Sequence, residues 1–283
     1  MFKKFLGLLA ILALLFLASP AAAAPQFQLA KLDTPGIQAT IAVPETAINN
    51  SPVIEYLGTA VDPQSGKIVQ GYAIIHPKTA PAKPPWAGGG GTRCYTFLAK
   101  GAMWKTIESW IVNPSNSRGL DGDFVFSNLA FDISKWEDAA DGVVGNGIGI
   151  NILGDGSSTP ATLLADTVVP DGQNEVYFAN ISSSNAIAVT IIWGIFAGPI
   201  SGRELVEWDQ VYDDVDFDWS ASGEAGKMDF ENIATHELGH SVGLGDLYES
   251  NCSEQTMYGY ASYGETKKRT LESGDILGVS TLY

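Results

Sequence analysis

Residues 236–246, HELGHSVGLGD, decide how the rest of this sequence is interpreted. The two histidines, His236 and His240, are four residues apart, so on a helix they project to one side with roughly 5–6 Å between their Cβ atoms. That separation suits two ligands of one small metal ion. Glu237 adjoins the first histidine, where it could stand beside the ion without binding it and take a proton from water there.

A turn after the second histidine completes the pattern. Gly243 can adopt a positive φ and end the helix sharply, which would bring Asp246 back towards the histidines as a third ligand. Three protein ligands leave one tetrahedral position for water, which is typical of a catalytic zinc site. The alternative is a surface helix with two solvated histidines, but the chain has 3 histidines in all and two of them lie here.

The residues around the motif predict the helix independently. Asp229 is a good N-cap, so the helix should begin at Phe230. Four apolar residues form one ridge at a spacing of four, nearly opposite the histidines: Phe230, Ala234, Leu238 and Val242. We therefore expect one side of the helix in a core and the other at the floor of a cleft. Gly239 costs about 1 kcal/mol relative to alanine, which indicates close packing there.

The motif HExxHxxGxxD, followed by Thr256-Met257-Tyr258, resembles the metzincin clan of metallopeptidases and, within it, the matrixin-like branch. Metzincins usually end the motif in histidine, and the aspartate here resembles the snapalysin variant. The resemblance covers residues 92–283 and is strongest from residue 207 onward. It implies an α+β fold with a twisted, mixed and mainly parallel sheet and three main helices.

The resemblance also implies an activity and a role for each motif residue. It implies a secreted zinc-dependent endopeptidase that acts on protein or peptide substrates. His236, His240 and Asp246 would hold one Zn²⁺, and Glu237 would be the general base. Met257 would form the apolar base beneath the metal, which differs little from the role of an ordinary core methionine.

Two further positions bear on the ligand set. Astacins and serralysins place a tyrosine two residues after the turn methionine, but Gly259 holds that position here, between Tyr258 and Tyr260. No tyrosine ligand is therefore assigned. His76, the remaining histidine, lies far upstream and makes a poor substitute ligand.

The N-terminus has the three parts of a secretory signal peptide: Lys3 and Lys4, an apolar run over residues 5–18, and the small residues 21–24. These features predict a signal peptide over residues 1–24. The apolar run is shorter than the roughly 20 residues that a spanning helix needs, so we expect a secreted protein without a stable membrane anchor.

The overall charge limits the classes of partner. The chain carries a net charge of −16, whereas nucleic acid and anionic membrane both need a basic surface. We therefore expect neither of them as a partner. Separately, we expect the protein to be a monomer.

Residues 25–91 lie between the signal peptide and the predicted catalytic domain, residues 92–283. They end in a linker rich in proline and glycine, which includes Pro84, Pro85 and the glycines at 88–91. Such a linker is accessible to proteases. The matrixin resemblance implies that residues 25–91 are a pro-segment removed on activation, so that the protein is made as a zymogen. The alternative is a small N-terminal domain that stays attached, and linker composition does not decide between them.

The chain has two cysteines, Cys94 and Cys252, an even number in a protein expected in an oxidising compartment. We therefore expect a disulfide between them. The alternative is a cysteine switch, in which Cys94 places a thiolate on the zinc of a latent form. The residues around Cys94 match the matrixin switch poorly, which favours the disulfide.

The pattern upstream of the motif suits an α+β domain. Residues 104–112 predict a first strand, and Asp121 begins a helix whose inner face carries Phe126, Leu129, Ile133 and Trp136. Residues 186–196 and 204–212 predict two more strands joined by a turn. By resemblance, the strand at 186–196 is the edge strand that borders the metal cleft. A substrate peptide could pair with it as an added antiparallel strand.

Several aspartates follow closely in and after the second of these strands: Asp209, Asp213, Asp214, Asp216 and Asp218. Their carboxylates could bind Ca²⁺, although their spacing is not that of an EF-hand loop. The interpretation we favour is a solvated acidic loop, because runs of charge usually face water.

Two other functions compete with the endopeptidase. One is a non-catalytic peptide-binding or adhesion module on a metalloprotease-like fold, which the presence of Glu237 disfavours. The other is a small-molecule hydrolase with the same metal chemistry, which the predicted strand beside the site disfavours.

Overall fold

The computed structural model describes residues 38–41, 54–78 and 93–283, with only the backbone path described for 38–41. The predicted signal peptide and most of the proline- and glycine-rich linker lie outside the described residues. An eight-stranded sheet forms the centre, in the order β2-β3-β7-β8-β6-β4-β5, with β1 paired to β6. The strands of this sheet are β1 Gln38–Ile41, β2 Ile54–Val61, β3 Ile68–Pro77, β4 Trp110–Asn113, β5 Gly156–Ser158, β6 Asn174–Ile181, β7 Ala186–Ile195 and β8 Glu204–Asp213.

The sheet is mixed, as the resemblance implies. Strands β5, β4, β6 and β8 run parallel, whereas β7 runs antiparallel to β8 on one side and to β3 on the other. A second sheet consists of β9, Trp219–Ser220, and β10, Met228–Asp229. Nearly every residue of β7 is buried, which explains why its sequence is a continuous apolar run and does not alternate.

Three α-helices lie among the described residues, in agreement with the predicted fold: α1 Gly122–Asp138, α2 Phe230–Ser241 and α3 Ser273–Leu282. Asp121 caps α1 by accepting a 2.9 Å hydrogen bond from the backbone N–H of Phe124. Leu129, Ile133 and Trp136 of this helix are buried, while Phe126 is only partly buried. No helix in the described part of the chain combines the length and the apolar character needed to cross a membrane.

Helix α2 forms as its sequence predicts. Asp229 is the N-cap and accepts a 3.0 Å hydrogen bond from the backbone N–H of Asn232. The predicted ridge is fully buried in the main core: Phe230, Ala234, Leu238 and Val242. A Cβ at Gly239 would lie 2.1 Å from the sulfur of Met257, so glycine is required for the close packing of these two residues.

The prediction of a strand over residues 104–112 is wrong for its first half, because regular pairing begins only at Trp110. Trp104 makes an isolated bridge to Leu205. Its indole Nε1–H donates a 2.7 Å hydrogen bond to the carbonyl of Ser241, at the end of α2. Trp104 therefore packs against the helix layer, and this contact outweighs its preference for a strand.

Strand β7 is not an edge strand, and the prediction that it is one is wrong. Strands β2 and β3 form an antiparallel hairpin, and β3 pairs with β7 from Gln70 opposite Gly194 to Pro77 opposite Ala186. The hairpin comes from the region predicted as a pro-segment. Residues 54–78 therefore extend the sheet of the predicted catalytic domain and do not form a separate core.

Cys94 and Cys252 form the expected disulfide. It ties the start of the predicted catalytic domain to the 3₁₀ turn Ser250–Cys252, which follows the metal-site motif. The two cysteines are 158 residues apart, so the closed loop stabilises the fold by about 5 kcal/mol on the chain-entropy model. The disulfide leaves Cys94 without a thiolate, which overturns the alternative of a cysteine switch in this structure.

The expectation of a solvated acidic loop is wrong for three of its five aspartates, because Asp209, Asp213 and Asp214 are buried. Asp213 accepts hydrogen bonds from the backbone N–H groups of Ile181 and Val215, at 2.9 Å and 3.0 Å. These carboxylates fix backbone that would otherwise lack partners, which a pattern of charge alone does not reveal.

Candidate active site

Three side chains from α2 and the turn after it meet at one point. Nε2 of His236 and Nε2 of His240 lie 3.1 Å and 3.4 Å from the same oxygen, Oδ1 of Asp246. Both imidazoles are fully buried, and the Asp246 side chain is 4% exposed. The structure thus brings together the three ligand candidates that the motif indicates.

The three facing atoms, Nε2 of each histidine and Oδ1 of Asp246, have no hydrogen-bond partner. Nδ1 of His236 is 2.6 Å from the carbonyl oxygen of Thr256, and Nδ1 of His240 is 2.9 Å from that of Leu244. Each Nδ1 therefore carries a proton, so that in the neutral imidazole each Nε2 presents a lone pair. Burial lowers the pKa of His236 to about 3, which keeps this imidazole neutral.

Two lone pairs and a carboxylate oxygen that face one another in a buried space are unfavourable unless a cation lies between them. Tetrahedral Zn²⁺ with nitrogen and oxygen ligands at roughly 2.0–2.2 Å places its ligand atoms about 3.3 Å apart. The two measured separations from Asp246 lie on either side of that value. The residues present therefore fit a zinc ion.

Gly243 makes the turn that returns Asp246 to the histidines. Its φ is +103°, in the region that favours glycine, as the sequence predicts. The N–H of Gly243 donates to the carbonyl of His240 at 2.8 Å, and the N–H of Leu244 donates to that of Gly239 at 2.9 Å. A Cβ at Gly243 would also lie 3.0 Å from the carbonyl oxygen of Ala102, so space as well as φ requires glycine.

The methionine turn, Thr256-Met257-Tyr258, packs against α2, where a Cβ at Gly239 would meet the sulfur of Met257. Met257 is 1% exposed and packs in the main core. Asp275 of α3 accepts hydrogen bonds from the backbone N–H groups of Thr256 and Met257, at 2.8 Å and 3.1 Å. Helix α3 therefore holds the carbonyl of Thr256 where it accepts from His236.

Tyr248 is a site residue that sequence reasoning missed. Its hydroxyl donates a 2.8 Å hydrogen bond to Oδ2 of Asp246, which leaves Oδ1 free to face the histidines. A Cβ at Gly259 would lie 2.5 Å from the Tyr248 ring. Gly259, at the position where astacins and serralysins carry a tyrosine, thus leaves room for the ring of Tyr248.

Glu237 is fully buried beside the histidines. Thr190 of β7 donates a 2.5 Å hydrogen bond to its Oε2, a contact that the sequence did not indicate. Burial raises the pKa of Glu237 to about 7, although His240 and Thr190 oppose the shift. A carboxyl with a pKa near neutrality suits proton transfer at physiological pH.

His76 reaches the site despite its distance in sequence. Its Nδ1–H donates a 2.9 Å hydrogen bond to Oε1 of Glu237, and its ring lies 4.1 Å from that of His236, centroid to centroid. Its possible ligand atoms and those of His236 and Glu237 lie within 4.8 Å of one another, while Asp246 faces both histidines of the motif. Sequence separation was therefore a poor reason to set His76 aside.

Lys268 is a further unpredicted member of the site, in the 3₁₀ turn Lys267–Arg269. It is fully buried, and its Nζ lies 3.3 Å from Nε2 of His76 while donating to the carbonyl of Tyr258. Burial lowers its pKa to about 8. No local pattern marks this lysine, because its neighbours Lys267 and Arg269 are basic as well.

A second cluster of possible cation ligands lies away from the histidines. Oxygen atoms of Asp166, Glu207 and Asp209 lie within 4.8 Å of one another. Oδ2 of Asp166 and Oε1 of Glu207 are buried without a hydrogen-bond partner, and Glu207 is 1% exposed. Burial and repulsion by Asp209 raise the pKa of Glu207 to about 10. No lysine or arginine among the described residues forms a salt bridge with these three carboxylates.

A mixed sheet with a histidine-bearing helix, a glycine turn and a buried glutamate defines a zinc-metallopeptidase-like domain. The matrixin family model matches residues 194–283, which include β8, α2, the methionine turn and α3. This match supports a matrixin-like family, and hence a metallopeptidase whose relatives depend on zinc. No curated protein matches the chain.

Proposed function

We propose that this protein is a secreted zinc endopeptidase that acts on proteins or peptides as a monomer. His236, His240 and Asp246 would hold the metal, with the aspartate as the snapalysin-type third ligand. The observation that carries this proposal is the set of three buried, unpartnered ligand atoms around Oδ1 of Asp246. When bound, Zn²⁺ would polarise the scissile carbonyl and lower the pKa of its water towards about 7.

Glu237 would accept a proton from the attacking water and deliver it to the leaving amine. Thr190 would hold Oε2 of Glu237, so that Oε1 serves as the atom that moves the proton. The carbonyls of Thr256 and Leu244 would fix the tautomer and ring orientation of the two histidines. Tyr248 would orient the aspartate in the same way.

Removing zinc should abolish digestion of casein or gelatin by the secreted, processed protein, and adding Zn²⁺ should restore it. Metal analysis of the same sample should find about one zinc per chain, as expected for a single site with three protein ligands. Digestion that continues unchanged with the chelator would contradict the proposal. Stoichiometric zinc without any hydrolysis would instead support the alternative, a peptide-binding or adhesion module.

We also propose that residues 25–91 are a pro-segment, which follows the signal peptide at 1–24 and is removed within or near the linker. The hairpin β2–β3 supports this proposal because it lies on the strand that a substrate would use. N-terminal sequencing of the secreted protein tests it. A mature N-terminus between residues 79 and 94 is expected, and one at residue 25 in a fully active protein would contradict it.

Calcium is a further proposed ligand, at Asp166, Glu207 and Asp209 and not in the loop at 213–218. Ca²⁺ prefers several carboxylate oxygens in a flexible arrangement, and the unpartnered oxygens of Asp166 and Glu207 supply them. A cation there would neutralise carboxylates that burial otherwise forces to hold protons.

Calcium should therefore raise the melting temperature of the protein by about 5–10 °C at a concentration 100 times its dissociation constant. Glu207→Gln should remove most of this rise in differential scanning calorimetry. Asp218→Asn removes the same charge from an exposed residue of the loop and should leave the rise unchanged. The opposite outcome for the two variants would place the ion in the loop.

A further inference from the structure

We propose that hairpin β2–β3 is an inhibitory strand in which His76 latches onto the catalytic glutamate. The proposal rests on the proposed peptidase function, and it concerns how that site is closed. In this state His236, Glu237 and His240 have no exposed surface. Because Glu237 and both histidines are buried, a substrate carbonyl cannot reach them until part of the protein moves away.

The backbone of β3 occupies the place of a substrate. It runs antiparallel to β7, in a register that sets Ile74 opposite Thr190 and His76 opposite Ala188. Peptides that add to a sheet edge use these same backbone donors and acceptors. Strand β3 already pairs with one side of β7, and β8 pairs with the other. No further peptide can therefore pair with β7.

His76 blocks the catalytic glutamate itself, whereas the backbone of β3 blocks the strand that a substrate would pair with. It is 2% exposed and donates to Oε1 of Glu237 at 2.9 Å, while Thr190 donates to Oε2 at 2.5 Å. Both oxygens of the buried glutamate are therefore engaged by the protein. Water cannot reach Oε1 until His76 moves away.

Lys268 contacts the second ring nitrogen of His76. Its Nζ is 3.3 Å from Nε2 of His76, which fits a histidine that donates through Nδ1 and accepts through Nε2. His76 thus bridges a buried cation and a buried carboxyl, and hydrogen bonds of this charge-assisted kind are stronger than neutral ones. An apolar side chain at this position would make neither contact.

Hydrophobic packing and polar contacts at both ends of β3 hold the rest of the hairpin in place. Val69, Ala73 and Ile75 are buried in a second hydrophobic cluster, separate from the main core that contains the apolar residues of α2. Lys67 pairs with Glu204 at 2.6 Å, and the backbone N–H of Lys78 donates to the carbonyl of Asn185 at 2.9 Å. The proline- and glycine-rich stretch that begins after this last contact is the kind of sequence that proteases cut.

The latch can be tested on the full chain loaded with zinc. The wild-type full chain should cleave a fluorogenic peptide far more slowly than the processed form. His76→Ala should raise the activity of the uncleaved chain about 10- to 100-fold, the effect of losing one buried charge-assisted hydrogen bond. Gln70→Ala, on the same strand but opposite Gly194, is the matched control and should change little.

Three results would overturn the latch. One is a full chain as active as the processed form. Another is His76→Ala that is folded but less active than wild type, since His76 would then be a positioning residue of the working enzyme. The third is no difference between His76→Ala and Gln70→Ala. If the processed, zinc-loaded protein is itself inactive, the proposed function fails, and the latch must be judged by a second measurement.

That second measurement needs no catalysis. In hydrogen–deuterium exchange, the β7 amides that face β3 should be protected in the full chain and should exchange about 10- to 100-fold faster in the full-length His76→Ala variant. Gln70→Ala should keep them protected. Equal protection in both variants would show that His76 does not hold the strand. Thermal unfolding of each variant checks that the domain remains folded.

Discussion

Replacing Glu237 with glutamine should lower the turnover of casein by the processed protein about 10²- to 10⁴-fold, the usual contribution of a general acid–base group. Glutamine keeps the shape of the side chain and can still accept a hydrogen bond from Thr190. It cannot take a proton from water. The zinc content should stay the same, because neither oxygen of Glu237 belongs to the three ligand atoms around Asp246.

The matched control is Glu231→Gln, which removes the same charge from the same helix. Glu231 pairs with Lys135 at 2.7 Å, away from the histidines, so turnover should stay within a few-fold of wild type. The measurement is kcat for a fluorogenic peptide, with zinc content determined on the same preparation. Glu237→Gln that retains zinc and full turnover would exclude Glu237 as the base.

The helix and turn of the site were predictable because their determinants are local. Asp229 caps the helix three residues from the donor it satisfies, and Gly243 provides the φ that the turn needs. The buried ridge follows from the helical period alone. The disulfide between Cys94 and Cys252 was predictable for a different reason, since two cysteines allow only one intramolecular pairing.

The remaining members of the site could not be predicted from local pattern. His76 is 161 residues from Glu237, and Thr190 is 47 residues from it. Both contacts depend on strand register, which is set by burial of the two faces of the sheet and not by the residues that make the contacts. The same limit explains the error about β7, because nothing in its own sequence shows whether its second side is paired.

The acidic residues show how composition can mislead. Because side chains alternate along β8, Glu207 and Asp209 lie on the same face of the sheet. The loop before β6 brings Asp166 close to them. A carboxylate in a strand and a carboxylate in a solvated loop look alike in sequence. The burial of Asp209 is decided by segments distant in the chain, because the backbone N–H groups that it accepts from lie 43 and 34 positions away.

Replacing Asp246 with alanine should weaken zinc binding by more than about 100-fold, the upper end of the effect of losing an outer-shell partner. The variant keeps both imidazoles but loses the anionic ligand that both of them face. Asp246→His should retain zinc, since a third imidazole can take the same coordination position. Tyr248→Phe should weaken binding about 10- to 100-fold, because it removes only the hydrogen bond that orients the aspartate.

Competition with a chromogenic chelator at fixed pH measures all three affinities, and thermal unfolding without metal shows whether each variant folds. The order of affinities is the decisive result. If Tyr248→Phe weakened zinc binding as much as Asp246→Ala, the hydrogen bond would be as important as the carboxylate it orients. If Asp246→Ala bound zinc as tightly as wild type, the aspartate would not be a ligand, and the two histidines would need another partner. His76 is then the nearest remaining imidazole to His236, which His76→Ala in the Asp246→Ala background would test directly.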